Sequence, residues 1–378
     1  MTSNGQTKLV IAQMLESDGP GGAEMVMLRL GEALRSRGHE VVPVGPATGC
    51  GWLAEQFRQR GFTPEQFLLR RPLDLGCLRG MVAMLRRRRV DVIHSHEFTM
   101  AVYGAAAARW LGVPHVITMH GNQTTTNRWR RRATLGLAIR YSDAVIAVSG
   151  DTKRYYDAQL GLDAHPLRVV PNGVPRLDGD RSVVRRELGL TSTDQLVVAT
   201  GSLVPRKGHA VLVKALAAQT NGSCWHLAIA GNGPERAALD DLVRSLDLES
   251  RVHLLGHRDD IGNILAASDI FAMPSLWEGL PLSLLEAMSC GKPVVASATS
   301  GIPEAVDTEQ DGLLVAPGNV EELTAALARL LSDAALRQRL GERAAARARA
   351  VFSIDAMTGQ YEDTYRALAQ RSGPAARR

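Results

Sequence analysis

Pro274-Ser-Leu-Trp-Glu278-Gly-Leu-Pro281-Leu-Ser-Leu-Leu-Glu286-Ala-Met-Ser-Cys-Gly-Lys-Pro-Val-Val-Ala296 decides the architecture of this chain. The apolar run Ile270 to Met273 just before it has the length of a buried strand. A turn rich in Ser, Gly and Pro follows. Pro281 suits the first turn of a helix, where its fixed φ is already helical and its missing N–H would have no partner anyway. Helical sequence fills the gap to Pro293 to Ser297, which reads as the next strand. A strand, a helix and a strand in that order make parallel strands joined by a crossover helix.

The same alternation extends in both directions. Downstream of Asp180, Gln195 to Thr200, Trp225 to Ala230, Val252 to Leu255 and Gly312 to Val315 are further predicted strands. Toward the N-terminus, Lys8 to Met14, Glu40 to Val44, Val90 to Ser95, Val113 to Met119 and Asp143 to Val148 read as strands, and Gly22 to Ser36 as a helix. The texture changes around Pro171, and Asn172 to Asp180, rich in Gly, Pro and Asp, reads as a linker. A chain of 378 residues is too long for one compact core, so two doubly wound α/β domains are expected. The end is helical, over Val320 to Leu331, Ala334 to Ala350 and Ile354 to Arg371, before a flexible tail, Ser372 to Arg378. No short-period repeat interrupts the pattern.

Composition fits this picture. Hydrophobic residues make up 45% but aromatics only 4%, so the core rests on Ala, Leu, Val and Ile, as in helices packed on parallel strands. The net charge of +5 is unevenly placed. Arg86 to Arg89 form one run; Arg128, Arg130, Arg131 and Arg132 form another around Trp129. Such runs are either solvated helix ends or contacts to an anionic surface such as lipid head groups. Cys50, Cys77, Cys224 and Cys290 are far apart and match no metal-ligand spacing, which suits a reducing cytoplasm. Met1 to Lys8 lacks the apolar core of a signal peptide, and no apolar run reaches the ~20 residues that span a bilayer. Membrane contact is therefore expected only at the surface.

In open α/β sheets ligands bind beyond the carboxyl ends of the strands, so the strand-to-helix turns carry the candidate chemistry. The first turn runs from Asp18 to Glu24, with Gly21 and Gly22 letting backbone approach a ligand beside a helix N-terminus. A tight turn with a purely structural need for glycine would look the same. In the second, Gly201 to Gly208, the cations Arg206 and Lys207 suit a diphosphate, although exposed Arg-Lys pairs are common on surfaces. The third is the opening stretch. Glu278 lies just before a helix and Glu286 inside it, roughly 7–9 Å further along the axis. Carboxylates accept hydrogen bonds from vicinal hydroxyls, so the pair could hold two sugar rings across a diphosphate, with Gly279 leaving N–H groups bare. Their structural alternative is a capping Glu278 and an exposed or salt-bridged Glu286.

Glu278 and Glu286, within that stretch, resemble the signature of the GT4 family of retaining glycosyltransferases. Further segments agree in order and spacing: Gly21-Gly22-Ala23-Glu24, Asp91 to His96, Thr118-Met119-His120-Gly121, Val169 to Val174, Gly201 to Gly208, and Ala230-Gly231-Asn232-Gly233-Pro234. The resemblance spans about Lys8 to Leu368. It implies a GT-B architecture, an α/β fold of two Rossmann-like doubly wound domains facing across a cleft. An acceptor-side domain would cover residues 1–175 and a nucleotide-sugar domain residues 176–353, with the helix 354–371 packed back on the first.

The resemblance also implies roles. Arg206 and Lys207 would bind the donor diphosphate and Glu286 the ribose. Glu278, with N–H groups near Gly279 and Leu280, would contact the transferred hexose. Gly22, in the Gly21-Gly22 turn, would approach the phosphates, and His120 would sit beside the reacting sugar. Gly256-His257-Arg258 falls where the family often meets the base. The implied donor is a nucleotide sugar, UDP-linked in preference to GDP-linked. The acceptor would be a glycan, a lipid or a small molecule, with no metal, no other cofactor and no nucleic acid. His94 and His96 at a strand end have no companion cluster and are expected to line the acceptor side rather than to hold a metal. Glu24 and Glu304 could simply be structural, and Asp18 has no assignable role. A nucleotide-sugar epimerase, a phosphorylase or a non-catalytic nucleotide-sugar-binding protein of the same fold are the alternatives.

Overall fold

The computed structural model describes residues 7–121, 129–161, 167–219, 222 and 224–371. The predicted tail Ser372 to Arg378 and Arg128 of the second arginine run lie outside the described residues. The chain divides into two compact units, Met1–Gly173 with Ile354–Arg378, and Val174–Ser353.

The first unit alternates strands and helices: β1 (Val10–Met14), α1 (Gly22–Ser36), β2 (Glu40–Pro46), α2 (Trp52–Gln59), β3 (Glu65–Phe67), α3 (Leu75–Arg87), β4 (Val92–His96), α4 (Glu97–Leu111), β5 (His115–Met119), α5 (Trp129–Arg140), β6 (Ala144–Ala147), α6 (Gly150–Leu160) and β7 (Arg168–Val169). Its parallel sheet has the order β3-β2-β1-β4-β5-β6-β7. Strands β4 and β5 are buried along their whole length, which is why they read as continuous runs rather than alternating ones. The edge strands β3 and β7 escape the sequence reading because three and two residues, mostly polar, carry no period. Side chains start several helices: Asp74 accepts from the N–H of Cys77 at α3, and Ser149 from that of Thr152 at α6.

The second unit holds α7 (Arg181–Glu187), β8 (Gln195–Thr200), a 3-10 turn (Pro205–Lys207), α8 (His209–Ala217), β9 (Trp225–Ala230), α9 (Arg236–Ser245), β10 (Val252–Gly256), α10 (Ile261–Ala267), β11 (Ile270–Met273), α11 (Leu282–Ser289), β12 (Val294–Ser297), α12 (Ile302–Ala305), β13 (Leu313–Val315), α13 (Val320–Ser332) and α14 (Ala334–Val351). Its sheet, again parallel, runs β10-β9-β8-β11-β12-β13. An apolar core packs one face of it, from Val197 and Leu227 on the strands to Leu212, Leu327 and Leu340 on the helices. Pro281 differs from expectation by one position: it caps α11 with ψ 124° instead of forming its first turn, a shift of the size by which helix ends commonly vary. Arg206 and Lys207 likewise occupy the short 3-10 turn, one residue ahead of α8.

The last helix, α15 (Ile354–Arg371), belongs to the first unit. Its buried residues include Met357, Tyr361, Tyr365 and Leu368. Polar groups fix its rotation and height. Tyr361 Oη lies 2.9 Å from Thr118 Oγ1, and Tyr365 Oη lies 2.7 Å from His94 Nδ1. The carboxylate of Glu362 accepts from Arg37 at 3.0 Å and from Arg366 at 2.6 Å, and lies 3.0 Å from His39 Nε2.

Burial pushes the Glu362 carboxyl up, but its hydrogen bonds with His39, Arg366 and Arg37 outweigh burial and hold it at about 2. A depressed carboxyl pKa gives stability that is present above the unfolded value near 4.5 and is lost as pH falls toward 2. Glu362→Gln should therefore destabilise the protein by about 2 kcal/mol at pH 7. In thermal melts the gap between variant and wild type should narrow progressively below pH 4.5. A gap that stayed constant down to pH 3 would show that the carboxylate is not what holds α15.

Candidate active site

In the second sheet the chain proceeds to one side after β8 and to the other after β11, so the carboxyl ends of these neighbouring strands form a switch point. The turn after β8 brings Arg206 and Lys207; the turn after β11 brings Ser275 and Glu278. Glu278, only 6% exposed, receives both cations: Arg206 Nη1 at 3.2 Å from Oε2 and Lys207 Nζ at 2.5 Å from Oε1. Ser275 Oγ donates to Oε1 at 2.9 Å, and the Glu278 N–H donates to Ser300 Oγ at 3.2 Å. The Arg206 guanidinium also lies over the Trp277 ring, 4.9 Å from its centre. Two positive charges and one negative leave this point net cationic.

Close backbone approaches build the turns. A Cβ on Gly208 would lie 2.1 Å from the Pro274 carbonyl oxygen, and Gly208 has φ +66°. A Cβ on Gly231 would lie 1.9 Å from the Gly201 oxygen, and one on Gly233 2.3 Å from that of Leu203. The N–H of Leu276 donates to the Arg206 carbonyl at 2.7 Å, and that of Gly301 to Gly279 at 3.0 Å. Glu286 and Leu280 are both buried, Glu286 on α11. His209, the first residue of α8, is buried, and burial together with the charge of Lys207 pushes it down to about 4.

In the first unit the switch point lies between β1 and β4, with β5 beside them. Gly21 caps α1, and a Cβ there would meet the Glu24 carboxylate at 2.4 Å, so Glu24 folds back over the turn. Around Gly22 there is open space. His96 Nδ1 lies 2.8 Å from His120 Nε2, and the two rings stack with centroids 5.1 Å apart. Glu97, which opens α4, has a left-handed φ of +64°, and its Oε1 accepts the His120 N–H at 3.1 Å. Burial lifts the Glu97 carboxyl to about 7, opposed by the bond from His120 and aided by the charge of Glu24. Burial holds His120 down at about 4, and His94 and His96 well below the ordinary imidazole range. These rings are neutral at pH 7.

The structure thus gathers Arg206, Lys207 and Glu278 directly, and places Gly21, Gly22 and His120 at the strand ends of the first sheet. Glu278 neutralises one of the two cations. Arg258 is engaged elsewhere, 2.8 Å from Asp260 and 2.7 Å from Glu187. Asp18, without a role in the sequence reading, accepts from the N–H groups of Gly51 at 2.6 Å and Leu53 at 2.8 Å and so ties the glycine turn to the start of α2. Ser275, Ser300, His209 and Glu97 were missed as well. The positive φ of Glu97 and Ser300 and the burial of His209 mark three of them, and none of these is visible in sequence. Among the described residues no group of three or more His, Cys, Asp or Glu is placed to hold a metal ion.

Residues 180–347 match the family model described as glycosyl transferases group 1, and residues 20–176 that of glycosyltransferase family 4. The chain is 30% identical to the UDP-Gal:alpha-D-GlcNAc-diphosphoundecaprenol alpha-1,3-galactosyltransferase of Escherichia coli, over 70% of this chain and 72% of that protein. It is 27% identical to the N-acetyl-alpha-D-glucosaminyl L-malate synthase of Bacillus anthracis, over 91% and 93% of the two chains. Among solved structures, Anabaena HepE in complex with UDP has a TM-score of 0.85 at 26% identity, covering 96% of this chain and 100% of that one. The same protein in complex with UDP-glucose gives 0.82 over 95% of this chain and 100% of that one. The α/β GT-B class read from the sequence holds, each unit being a Rossmann-like domain.

Gly208→Ala meets both a backbone clash and a positive φ, and should destabilise the second unit by about 1–3 kcal/mol. Scanning calorimetry checks this; wild-type stability would mean that the Arg206 and Glu278 turns are not locked together through Pro274.

Proposed function

This chain belongs to glycosyltransferase family 4, among the group 1 glycosyl transferases, and we propose that it transfers a hexose from a UDP-sugar, with retention of anomeric configuration and without a metal ion. The observation that carries the reading is the convergence of Arg206 and Lys207 on Glu278 at the second switch point. A diphosphate carries more negative charge than one carboxylate and competes with Glu278 for both cations. Their charge then stabilises the nucleoside diphosphate as it leaves, in a part-buried setting where such charge counts most.

The proposed donor contacts follow. Arg206 and Lys207 take the diphosphate, and Glu286 takes the ribose. Glu278 and the N–H groups of Gly279 and Leu280 take hydroxyls of the transferred sugar. From the first unit, the open space around Gly22 suits close approach of a phosphate, and His120 suits contact with the reacting sugar. In the proposed step the bond from the anomeric carbon to the diphosphate oxygen breaks. The acceptor oxygen bonds to that carbon on the same face, and the acceptor's proton passes to a departing phosphate oxygen. A neutral His120, with its pKa near 4, is a weak base, which favours the phosphate as proton acceptor.

We also propose a glycan, lipid-linked or small-molecule acceptor in cell-envelope or exopolysaccharide synthesis, in the cytoplasm and at the inner face of the membrane. The surface contact rests on Trp129, 69% exposed, and on exposed Arg130, Arg131 and Arg132. The other run is partly consumed by ion pairs, Arg87 with Glu65 and Arg88 with Glu40. Among the described residues no helix is long and apolar enough to cross a membrane.

Turnover separates an enzyme from a binding protein. UDP release from UDP-glucose and other UDP-sugars should persist in EDTA; loss of all release in EDTA would remove metal independence, and binding without release would support a binding module. Within the same assay Glu286→Ala should raise the donor KM, whereas Glu278→Ala should mainly lower kcat, by about tenfold or more. Both variants keeping full activity would overturn the donor assignment.

For the membrane contact, sedimentation with anionic vesicles at low salt should carry the wild type down and leave a Trp129→Ala, Arg130→Ala, Arg131→Ala variant in solution. Equal behaviour of the two would discard the contact.

A further inference from the structure

Three consecutive residues of the turn after β11 each hold a different part of Arg206. The Leu276 N–H donates to the Arg206 carbonyl at 2.7 Å. The Trp277 ring faces the guanidinium, 4.9 Å from ring centre to Cζ. Glu278 Oε2 accepts from Nη1 at 3.2 Å. Trp277 is itself held through both neighbours: the Leu276 carbonyl accepts from Thr299 Oγ1 at 3.0 Å, and the Glu278 N–H donates to Ser300 Oγ at 3.2 Å. The Trp277 side chain is 37% exposed, and among the described residues Arg206 is the only cation over its ring.

The face and the edge of a guanidinium do different things. Its N–H groups point outward in the plane of the fork, and they bind carboxylate or phosphate. The face carries no donor and packs on an aromatic ring, whose quadrupole attracts the charge. Trp277 uses the face and Glu278 the edge, so one contact can be given up without the other. The two cations also differ in what they can release. Lys207 is the more buried, with 12% of its side chain exposed against 33% for Arg206, and the oxygen that it meets, Oε1, also accepts from Ser275 Oγ. An anion arriving from solvent therefore reaches Arg206 first and can draw its edge away from Glu278 while the Lys207 pair stays.

We infer that Trp277 is a positioning residue: it holds Arg206 by the guanidinium face while the guanidinium edge passes from Glu278 to the diphosphate of a bound nucleotide. A loose arginine would have to be ordered at that moment, whereas one held by its face is ordered beforehand. The inference rests on the proposed function for the identity of the anion, and on the three contacts alone for the clamp.

Spectra of the 15N-arginine-labelled protein, with Arg206 assigned through Arg206→Gln, test both halves. In the free protein the Arg206 guanidinium protons should be displaced upfield by the Trp277 ring, and Trp277→Leu should abolish that displacement. Added UDP should move the Arg206 signals and leave the upfield displacement in place. In calorimetric titrations Trp277→Leu should weaken UDP binding about three- to tenfold, the range of one cation–π contact, and Trp277→Phe, which keeps a ring, should recover most of the loss. In an Arg206→Gln background Trp277→Leu should cost nothing further. A displacement that vanishes when UDP binds overturns the inference. So does a Trp277→Leu variant that binds UDP as tightly as the wild type, or one that loses as much in the Arg206→Gln background, where the ring would be touching the nucleotide itself. Pyrophosphate, a diphosphate with neither base nor sugar, separates this from the functional reading. If UDP leaves the Arg206 signals unmoved but pyrophosphate moves them with the displacement kept, the UDP reading fails and the clamp stands. If neither moves them, the inference falls.

Discussion

Arg206 and Lys207 reach the carboxyl end of β8, and one buried carboxylate from the neighbouring β11 turn holds both. Without Glu278 two like charges would be forced together in a half-desolvated place, and the turn that carries them would have reason to open. A buried ion pair of this kind adds little net stability, because desolvation offsets most of the attraction. What it supplies here is geometry. The pair is reinforced by a bond from Leu276 N–H to the Arg206 carbonyl and by the approach of Gly208 to Pro274, so the two turns are joined through side chains and backbone alike. The rest of the second unit, from its apolar core to the capping of α11, keeps those two strand ends in register.

The first unit solves a related problem without charge. The buried histidines of β4 and β5, His94, His96 and His115, are neutral, and they pair with hydroxyls or with another histidine: His94 with Thr118 and Tyr365, His115 with Ser95 and Ser142, His96 with His120. The one nearby group balanced close to neutrality is Glu97, and its carboxylate is already tied to the His120 backbone.

Much of this was legible in the chain alone, and the reasons are specific. Helix α1 and strands β8, β9 and β11 were read to their observed ends because buried parallel strands are continuous apolar runs bounded by turn residues. The short edges β3 and β7 were invisible, since three residues with one buried, or two exposed residues, leave no pattern. Arg206, Lys207 and Glu278 were singled out by type and spacing. Their pairing was not, because Arg206 and Glu278 lie 72 residues apart and only the sheet order makes them neighbours. Asp18 shows the same limit: its partners Gly51 and Leu53 are supplied by a different helix, and nothing local announces them.

The return of α15 to the first unit has a consequence for the order in which the protein is made. Residues 174–353 are contiguous, so the second unit can fold as soon as they have been synthesised. The first unit cannot be finished at that stage, although its sheet is made first. Until residues 354–371 emerge, Thr118 and His94 lack the tyrosine hydroxyls that complete their bonds, and the apolar surface that Met357, Tyr361 and Tyr365 will cover stays exposed. The half of the molecule begun earliest is therefore completed last, and the newly made chain passes through a period in which one domain is whole and the other waits for its closing helix.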